Sequence, residues 1–253
     1  MNFEFSHAYP TDQASLDIFK DKWASSMPAE SGLVGGTLDH FNDARVPWAD
    51  SILKLRGKRI LELGPYEAYN TYQFEKAGAV HVTAIESSIE NFLKCLVIKN
   101  IFDLNAKFLH GDFEIYEPDV LFDIVWASGV LYHLVKPVEF LERIAPWSNN
   151  VFLWTQYFDA SILGPSHGGS GNFNAANDKV VTFRGRDIRL HWRSYMENAD
   201  ATNFSGGSEQ YSYWLELDDI MLIFREMGFA SITMGINNPH HPPGPACFFV
   251  AQR

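Results

Sequence analysis

The sequence is poor in the features that mark several large classes of protein. It has 2 cysteines in 253 residues, too few for a disulfide framework, and Cys95 and Cys247 do not have the spacing of a metal site. No run approaches the roughly 20 apolar residues that cross a bilayer. The first residues also lack the basic and apolar parts of a signal peptide. We therefore expect no metal, no membrane partner and a cytoplasmic location.

Basic residues are scarce relative to acidic ones. The chain has 20 Lys and Arg against 31 Asp and Glu, which gives a formal net charge of −11. A phosphate backbone repels such a protein at long range, so nucleic acid is disfavoured as a substrate, although a local basic patch can overcome the net charge. The hydrophobic content of 46% is sufficient for one core. The oligomeric state stays open.

Apolar strand-like segments alternate with helical patterns through the middle of the chain. Strands are predicted at 58–63, 80–86, 106–109, 122–127 and 151–156, and helices at 69–77, 88–101 and 138–144. A last helix at 217–227 precedes strands at 231–236 and 247–252, which a short loop joins as antiparallel neighbours. This order predicts an α/β fold with a Rossmann-like, doubly wound sheet. The sheet should be mostly parallel with an antiparallel last strand, and helices should cover both faces.

Two segments fall outside this alternation. Residues 1–57 predict an N-terminal helical extension, which is interrupted by glycines and by Pro47. Residues 157–213 are rich in Gly, Asn, Ser and aromatic residues. Loops of that length in a compact domain are usually functional. We expect a main domain over 58–253 with an insertion at about 157–213, which is either a long ordered element or a mobile lid.

Residues suited to an adenosyl ligand follow the first two predicted strands. Glu62, Gly64 and Pro65 end the first strand, and a glycine at a strand tip lets a ligand approach the backbone. Glu86 and Ser87 end the second strand. A carboxylate there can accept hydrogen bonds from both ribose hydroxyls, whereas its alternative role is to favour the dipole of the following helix.

The next two strand ends add to this pattern. Gly111, Asp112 and Phe113 follow the third strand, where the carboxylate can receive an adenine amino group and the ring can pack on the base. Ser128 and Gly129 follow the fourth, nearly all-apolar strand. Gly-Asp alone is an ordinary turn. Together the strand ends predict a ligand pocket at the carboxyl edge of the sheet, where open α/β sheets bind ligands.

These strings resemble the successive motifs of class I S-adenosylmethionine-dependent methyltransferases. The similar strings are LELGP, AIE, HGD and FDIVWASGVLYHL, within residues 58–145. The resemblance implies S-adenosylmethionine as cofactor, with its methionine part at the first strand end, its ribose at the second, its adenine at the third and its sulfonium above the fourth. The family usually has more glycine where this chain has Tyr66, Glu67 and Ala68, and a related subset has Pro-x-Glu there.

Candidate catalytic and acceptor-binding residues follow the fourth strand or lie near the insertion. Tyr132 and His133 can act on the acceptor, His133 as a general base near neutral pH or as a structural histidine at a helix start. Methyl transfer often needs only alignment of the reacting atoms. Aromatic segments at the insertion can line the acceptor pocket or belong to the core. Their candidate residues are Tyr157, His191, Trp192 and Tyr213.

The leading interpretation is methyl transfer to a small or medium-sized acceptor. One alternative is a tRNA-modifying methyl- or carboxymethyltransferase, whose active-site sequence the GVLYHL string also resembles. A nicotinamide-dependent dehydrogenase would share the acidic residue after the second strand, but its G-x-G-x-x-G signature is absent. A non-catalytic nucleotide-binding module is the third alternative, because of the altered glycine loop.

Overall fold

The structure, a computed structural model, describes residues 5, 7–163, 172–195, 207 and 209–253. Its strands are β1 (Arg59–Leu63), β2 (His81–Glu86), β3 (Lys107–His110), β4 (Ile124–Ser128), β5 (Asn150–Gln156), β6 (Lys179–Phe183), β7 (Arg186–Ser194), β8 (Tyr211–Trp214), β9 (Ser231–Asn238) and β10 (Ala246–Gln252). Its α-helices are α1 (Asp12–Leu16), α2 (Arg45–Leu53), α3 (Tyr69–Lys76), α4 (Ile89–Ile101), α5 (Pro137–Ile144), α6 (Ala160–Leu163) and α7 (Leu217–Glu226).

The main sheet has seven strands in the order β3-β2-β1-β4-β5-β10-β9. Strands β1 to β5 pair in parallel, and β10 lies antiparallel between β5 and β9. This confirms the predicted doubly wound sheet with an antiparallel last strand. The strand order reverses between β1 and β4, and ligands bind at such a reversal in open α/β sheets.

Successive residues of the central strands contribute to two different cores, one on each face of the sheet. Leu61 and Val125 lie in the core that α5 and α7 cover. Their neighbours Ile60 and Trp126 lie in the core that α2 and α3 cover. The alternation follows from the period of two of a β-strand, and both sets are buried because helices cover both faces. This confirms the two-sided covering.

The segment before β1 contains two short α-helices, α1 and α2, among single 3₁₀ turns. Leu16, Phe19 and Trp23 pack against Cys95 and Ile98 of α4 in a third buried cluster. The N-terminal segment therefore covers the helices that follow β1 and β2. Across the described ranges, no helix is long and apolar enough to cross a membrane.

The insertion contains a second sheet, in which β6, β7 and β8 pair antiparallel. Two isolated β-bridges, between Phe158 and Glu216 and between Phe173 and Arg193, pair segments next to this sheet. Residues 164–171, 196–206 and 208 of the predicted insertion lie outside the described residues. Whether the insertion at about 157–213 acts as a mobile lid stays a prediction.

Candidate active site

Gly64 makes the turn that follows β1. Its φ of +69° is in the left-handed region, and a Cβ at this position would lie 2.8 Å from Cγ1 of Val130. The Gly64 N–H donates to the carbonyl of Ile85 at 2.9 Å, which fixes the turn beside the end of β2. Glycine is required at this position both by the backbone conformation and by the contact with Val130.

Glu86 joins three segments at the end of β2. Its carboxylate oxygens accept from the N–H of Tyr66 at 3.0 Å and of Ser88 at 2.9 Å. The backbone carbonyl of Glu86 accepts from the N–H of Gly111 at 3.0 Å. Ser87 follows Glu86 in the chain and precedes Ser88, the N-cap residue of α4. Burial raises the pKa of Glu86, although these N–H groups counteract the effect. Each carboxylate oxygen keeps lone-pair capacity for another donor.

Glu62 lies beneath the same turn with only 2% of its surface exposed. Thr71 of α3 donates its hydroxyl proton to Oε2. Burial, with a smaller contribution from the nearby charge of Glu86, raises the pKa of Glu62 to about 8, although the Thr71 bond acts in the opposite direction. Glu62 is therefore a neutral acid at pH 7, because desolvation disfavours its charged form.

The loop after Gly64 takes a shape that glycine usually provides. Tyr66 and Ala68 have φ of +57° and +58°, which side-chain-bearing residues rarely adopt. Pro65 precedes them, and its carbonyl accepts from the N–H of Ala68 at 2.9 Å. The bulkier sequence thus retains a tight turn, at a cost in backbone strain that neighbouring contacts must offset.

Those contacts come through Glu67, a fully buried carboxylate. Its oxygens accept from the N–H groups of Ala24 at 3.0 Å and Ser25 at 2.9 Å. The buried ammonium of Lys94 donates to it at 3.1 Å and to the carbonyl of Lys22 at 2.5 Å. A buried ion pair therefore fastens the N-terminal segment onto the loop after β1.

Asp112 and Phe113 occupy different environments after β3. Asp112 is exposed, and its Oδ1 accepts from the N–H of Glu114 at 2.7 Å. Phe113 is buried, with its ring centroid 5.5 Å from that of Phe140. The carboxylate thus keeps an oxygen for a ligand, whereas most of the Phe113 ring lies in the core.

The turn after β4 lies beside three packed aromatic side chains, Tyr132, Trp154 and Trp214, which we call the aromatic wall. Gly129, which follows Ser128, has φ of +80°, and its N–H donates to the carbonyl of Trp154 at 3.0 Å. A Cβ on Gly129 would lie 3.4 Å from the Trp154 ring and 3.8 Å from the Tyr132 hydroxyl. The Tyr132 ring packs edge-on against Trp154 at 5.7 Å and Trp214 at 5.9 Å. Tyr132 is thus placed beside the turn at the switch point.

Two arginines lie at opposite ends of this wall. The Arg45 guanidinium is 5.0 Å from the Trp154 centroid and is paired with Asp43 at 2.6 Å. The Arg193 guanidinium is 5.0 Å from the Trp214 centroid. Within the ranges that the structure describes, no carboxylate lies within ion-pair distance of Arg193. Of the two guanidinium groups that contact the wall, that of Arg45 is therefore paired with a carboxylate and that of Arg193 is not.

His133 follows Tyr132 and is held against the second sheet. Its Nδ1 lies 2.8 Å from the hydroxyl of Tyr195. Burial, and to a smaller extent the charge of Arg193, lowers the pKa of His133 to about 3. Burial also raises the pKa of Tyr132. Both side chains are therefore neutral near pH 7, and His133 retains a nitrogen lone pair at every physiological pH.

Tyr157 and His191 have partners away from this wall. The Tyr157 hydroxyl donates to Oδ1 of Asn237 at 2.7 Å, and only 4% of the side chain is exposed. His191 lies between the carboxylates of Asp178 at 3.2 Å and Glu216 at 3.0 Å. The structure therefore pairs Tyr157 with β9 of the main sheet and His191 with two carboxylates that flank the second sheet.

Trp192 and Tyr213 lie on the opposite face of the second sheet from Arg193 and Trp214. Trp192 pairs with Tyr213, and Arg193 pairs with Ser212, across β7 and β8. Cross-strand partners share a face, and successive residues alternate between faces. Trp192 and Tyr213 accordingly pack against the main core. The structure does not bring them to the aromatic wall.

The residues at the wall outside the candidate contacts are Arg45, Trp154, Arg193 and Trp214, of which Arg193 and Trp214 lie in the aromatic segments that the sequence already marks as possible pocket lining. A signal existed for two of them, because Arg193 and Trp214 follow the predicted candidates by one residue. Alternation along a strand would have separated the two faces. Arg45 and Trp154 lie on α2 and β5 and reach the wall only through long-range packing.

The sheet order and the placement of its reversed strand are the fold of class I S-adenosylmethionine-dependent methyltransferases. The N-terminal domain of EvdMO1, crystallised with S-adenosylhomocysteine (SAH) and D-fucose, is similar over 95% of this chain and 94% of that one, with a TM-score of 0.71 and 18% identity. The SAH-bound magnesium protoporphyrin IX methyltransferase of Synechocystis PCC 6803 has a TM-score of 0.57 at 15% identity, over 96% of this chain and all of that one (100%).

Sequence comparison gives a shorter match. The tRNA U34 carboxymethyltransferase of Dichelobacter nodosus is 29% identical over 102 residues, which cover 38% of this chain and 30% of that protein. The same enzyme of Colwellia psychrerythraea is 31% identical over 97 residues, with the same coverage of each chain. The match thus spans under a third of those relatives. No family model matches the chain.

Proposed function

We propose that the protein is an S-adenosylmethionine-dependent methyltransferase that acts on a small or medium-sized acceptor. The observation that carries the proposal is the buried Glu86 carboxylate at the carboxyl end of β2, next to β1 and the switch point, which joins the loop after β1 to the start of α4. The likeness to folds crystallised with SAH supports it. Open α/β sheets bind ligands at this position.

The chemistry of the residues at the strand ends suits the cofactor. Glu86 would accept from the ribose hydroxyls, and the exposed oxygen of Asp112 would accept from the adenine amino group. Gly64, which has no side chain, would let the methionine part approach the backbone, while Glu62 and Pro65 support that turn. When bound, the cofactor supplies an electrophilic methyl group on a sulfonium.

The acceptor would lie against the aromatic wall near Gly129. Tyr132 and Trp154 offer ring faces and edges that suit a ring-shaped molecule, the fully buried Trp214 supports Tyr132 from behind, and Arg193 offers donors for the polar groups of such a molecule. D-fucose, in the presence of which the EvdMO1 domain was crystallised, is a ring-shaped molecule with polar groups of this kind. The chain would act mainly by aligning the nucleophile with the methyl group.

A tRNA substrate is the second candidate, favoured by the match to the U34 carboxymethyltransferases. The net charge of −11 opposes it. Transfer of a radioactive methyl group from S-adenosylmethionine decides between the two. Purified sugars and unmodified tRNA would be offered separately, and label in the tRNA alone would replace the small-acceptor proposal.

Calorimetric titration with SAH tests the cofactor proposal before any acceptor is known. Glu86→Ala should weaken SAH binding by about 1.5–3 kcal/mol, the range for hydrogen bonds that involve a charged group. Glu139→Ala removes an exposed carboxylate on α5 and serves as the matched control. Parent-like affinity in folded Glu86→Ala would contradict the ribose assignment. Binding of NAD in place of SAH would contradict the proposed function.

A further inference from the structure

Tyr195 is the centre of a buried hydrogen-bond cluster that the proposed function does not use. It follows β7, and only 3% of its side chain is exposed. Its hydroxyl lies 2.8 Å from Nδ1 of His133, 3.1 Å from the carbonyl oxygen of Tyr132 and 3.0 Å from Oγ of Ser212. The second sheet therefore contacts, through one hydroxyl, the segment that follows β4.

The donor in each of these contacts follows from what each group can do. The Tyr132 carbonyl can only accept, and no other donor reaches it from the described part of the chain, so the Tyr195 proton points to it. The Tyr195 oxygen then accepts from the Ser212 hydroxyl, which is itself fully buried. With its one proton on the Tyr132 carbonyl, the Tyr195 hydroxyl can meet His133 only as an acceptor, and in that arrangement Nδ1 carries the proton.

We propose that Tyr195 is a positioning residue that holds neutral His133 in the Nδ1–H tautomer, which leaves the lone pair on Nε2. None of the described residues forms a hydrogen bond with Nε2. The assignment of the proton depends on the hydrogen bonds alone. The use of Nε2 rests on the proposed function.

In that reaction Nε2 takes the proton that the acceptor loses. The acceptor oxygen forms the new bond to the methyl carbon as the bond from that carbon to sulfur breaks, and the hydroxyl proton passes to Nε2. An oxygen that has begun to bond to the methyl carbon is strongly acidic, so a weakly basic nitrogen suffices. The lowered pKa of His133 then returns the proton readily to water.

Long-range ¹H–¹⁵N spectra of the labelled full-length protein test the tautomer without any acceptor. His133→Gln identifies the ring signals, because the chain has 9 histidines. The parent should show the Nδ1–H pattern for His133 between about pH 6 and 8. Tyr195→Phe should shift the equilibrium to the Nε2–H form. Tyr211→Phe, whose hydroxyl lies on the opposite face of the second sheet, should leave the pattern unchanged.

A parent spectrum with the Nε2–H pattern, or an unchanged Nδ1–H pattern in Tyr195→Phe, overturns the proposal. If Tyr195→Phe does not fold, the parent spectrum still decides the tautomer. Calorimetry with SAH separates this outcome from failure of the proposed function. Parent and Tyr195→Phe should bind SAH equally, and a parent that binds no SAH while showing the Nδ1–H pattern would refute the methyltransferase and leave the tautomer standing.

Discussion

Replacement of Glu62 by Gln tests whether the acid beneath the β1 turn is neutral in the folded protein. Burial, together with the charge of Glu86, raises the pKa of Glu62 from 4.5 to about 8. The partner in the structure is the hydroxyl of Thr71. Gln has the shape of the protonated acid and no charge at any pH. The variant should therefore fold with the same contacts, and its only difference should be that residue 62 no longer titrates.

The magnitude follows from the linkage between protonation and folding. The folded state holds the Glu62 proton up to about pH 8, whereas the unfolded state releases it near pH 4.5. The stabilisation is therefore complete below the unfolded pKa and is lost as the pH rises to the folded one. Each pH unit in this window removes about 1.4 kcal/mol, so Glu62 alone removes about 3 kcal/mol between pH 5 and 7.5.

Urea unfolding at several pH values in this window measures the effect, since the free energy of unfolding extrapolates linearly to water. The parent should lose about 3 kcal/mol relative to Glu62→Gln between pH 5 and 7.5. Glu139→Gln, an exposed change on α5, should follow the parent. Parallel curves for the parent and Glu62→Gln would show that Glu62 is ionised in the folded state and would refute the reasoning.

Three further predictions concern other buried or ligand-facing groups. Lys94→Met should lower the free energy of unfolding by about 3–5 kcal/mol, because Glu67 would be left charged and buried, and the double change with Glu67→Gln should cost less. The NMR signals of His133 should not titrate between about pH 5 and 8, since burial lowers its pKa to about 3; a midpoint near 6.5 would contradict the burial. Asp112→Ala should weaken SAH binding in calorimetry while leaving the urea midpoint unchanged.

The sheet could be predicted because each of its signals is local. The predicted strand at 122–127 corresponds to Ile124–Ser128, and the shift has a physical reason. Phe122 is apolar and buried like a strand residue, but its N–H donates to the carbonyl of Trp147 rather than to a neighbouring strand. Burial and ladder pairing are separate properties, and only the first is visible in hydrophobicity.

The cofactor side and the acceptor side of the proposed site differ in predictability. Parallel strands bring their carboxyl ends to one edge, so strand assignments alone predict that Glu62, Glu86 and Asp112 lie near each other. Arg45 reaches Trp154 only because α2 packs across the sheet from a segment with no strand or motif signal. The Glu67–Lys94 pair likewise depends on the N-terminal segment crossing the loop after β1.

On the proposed acceptor side, aromatic content predicts the location of a side chain less well than the face of the strand on which the residue lies. Trp192 and Tyr213 are as aromatic as Trp214, yet they pack against the main core while Trp214 lies beside Tyr132. Composition alone cannot distinguish which of two adjacent aromatic residues contacts the wall. In a strand each step reverses the face, so neighbouring residues contact different parts of the protein. Since Arg193 flanks Trp192 and pairs with Ser212 beside Trp214, strand assignment identifies the residues of the second sheet that contact the wall.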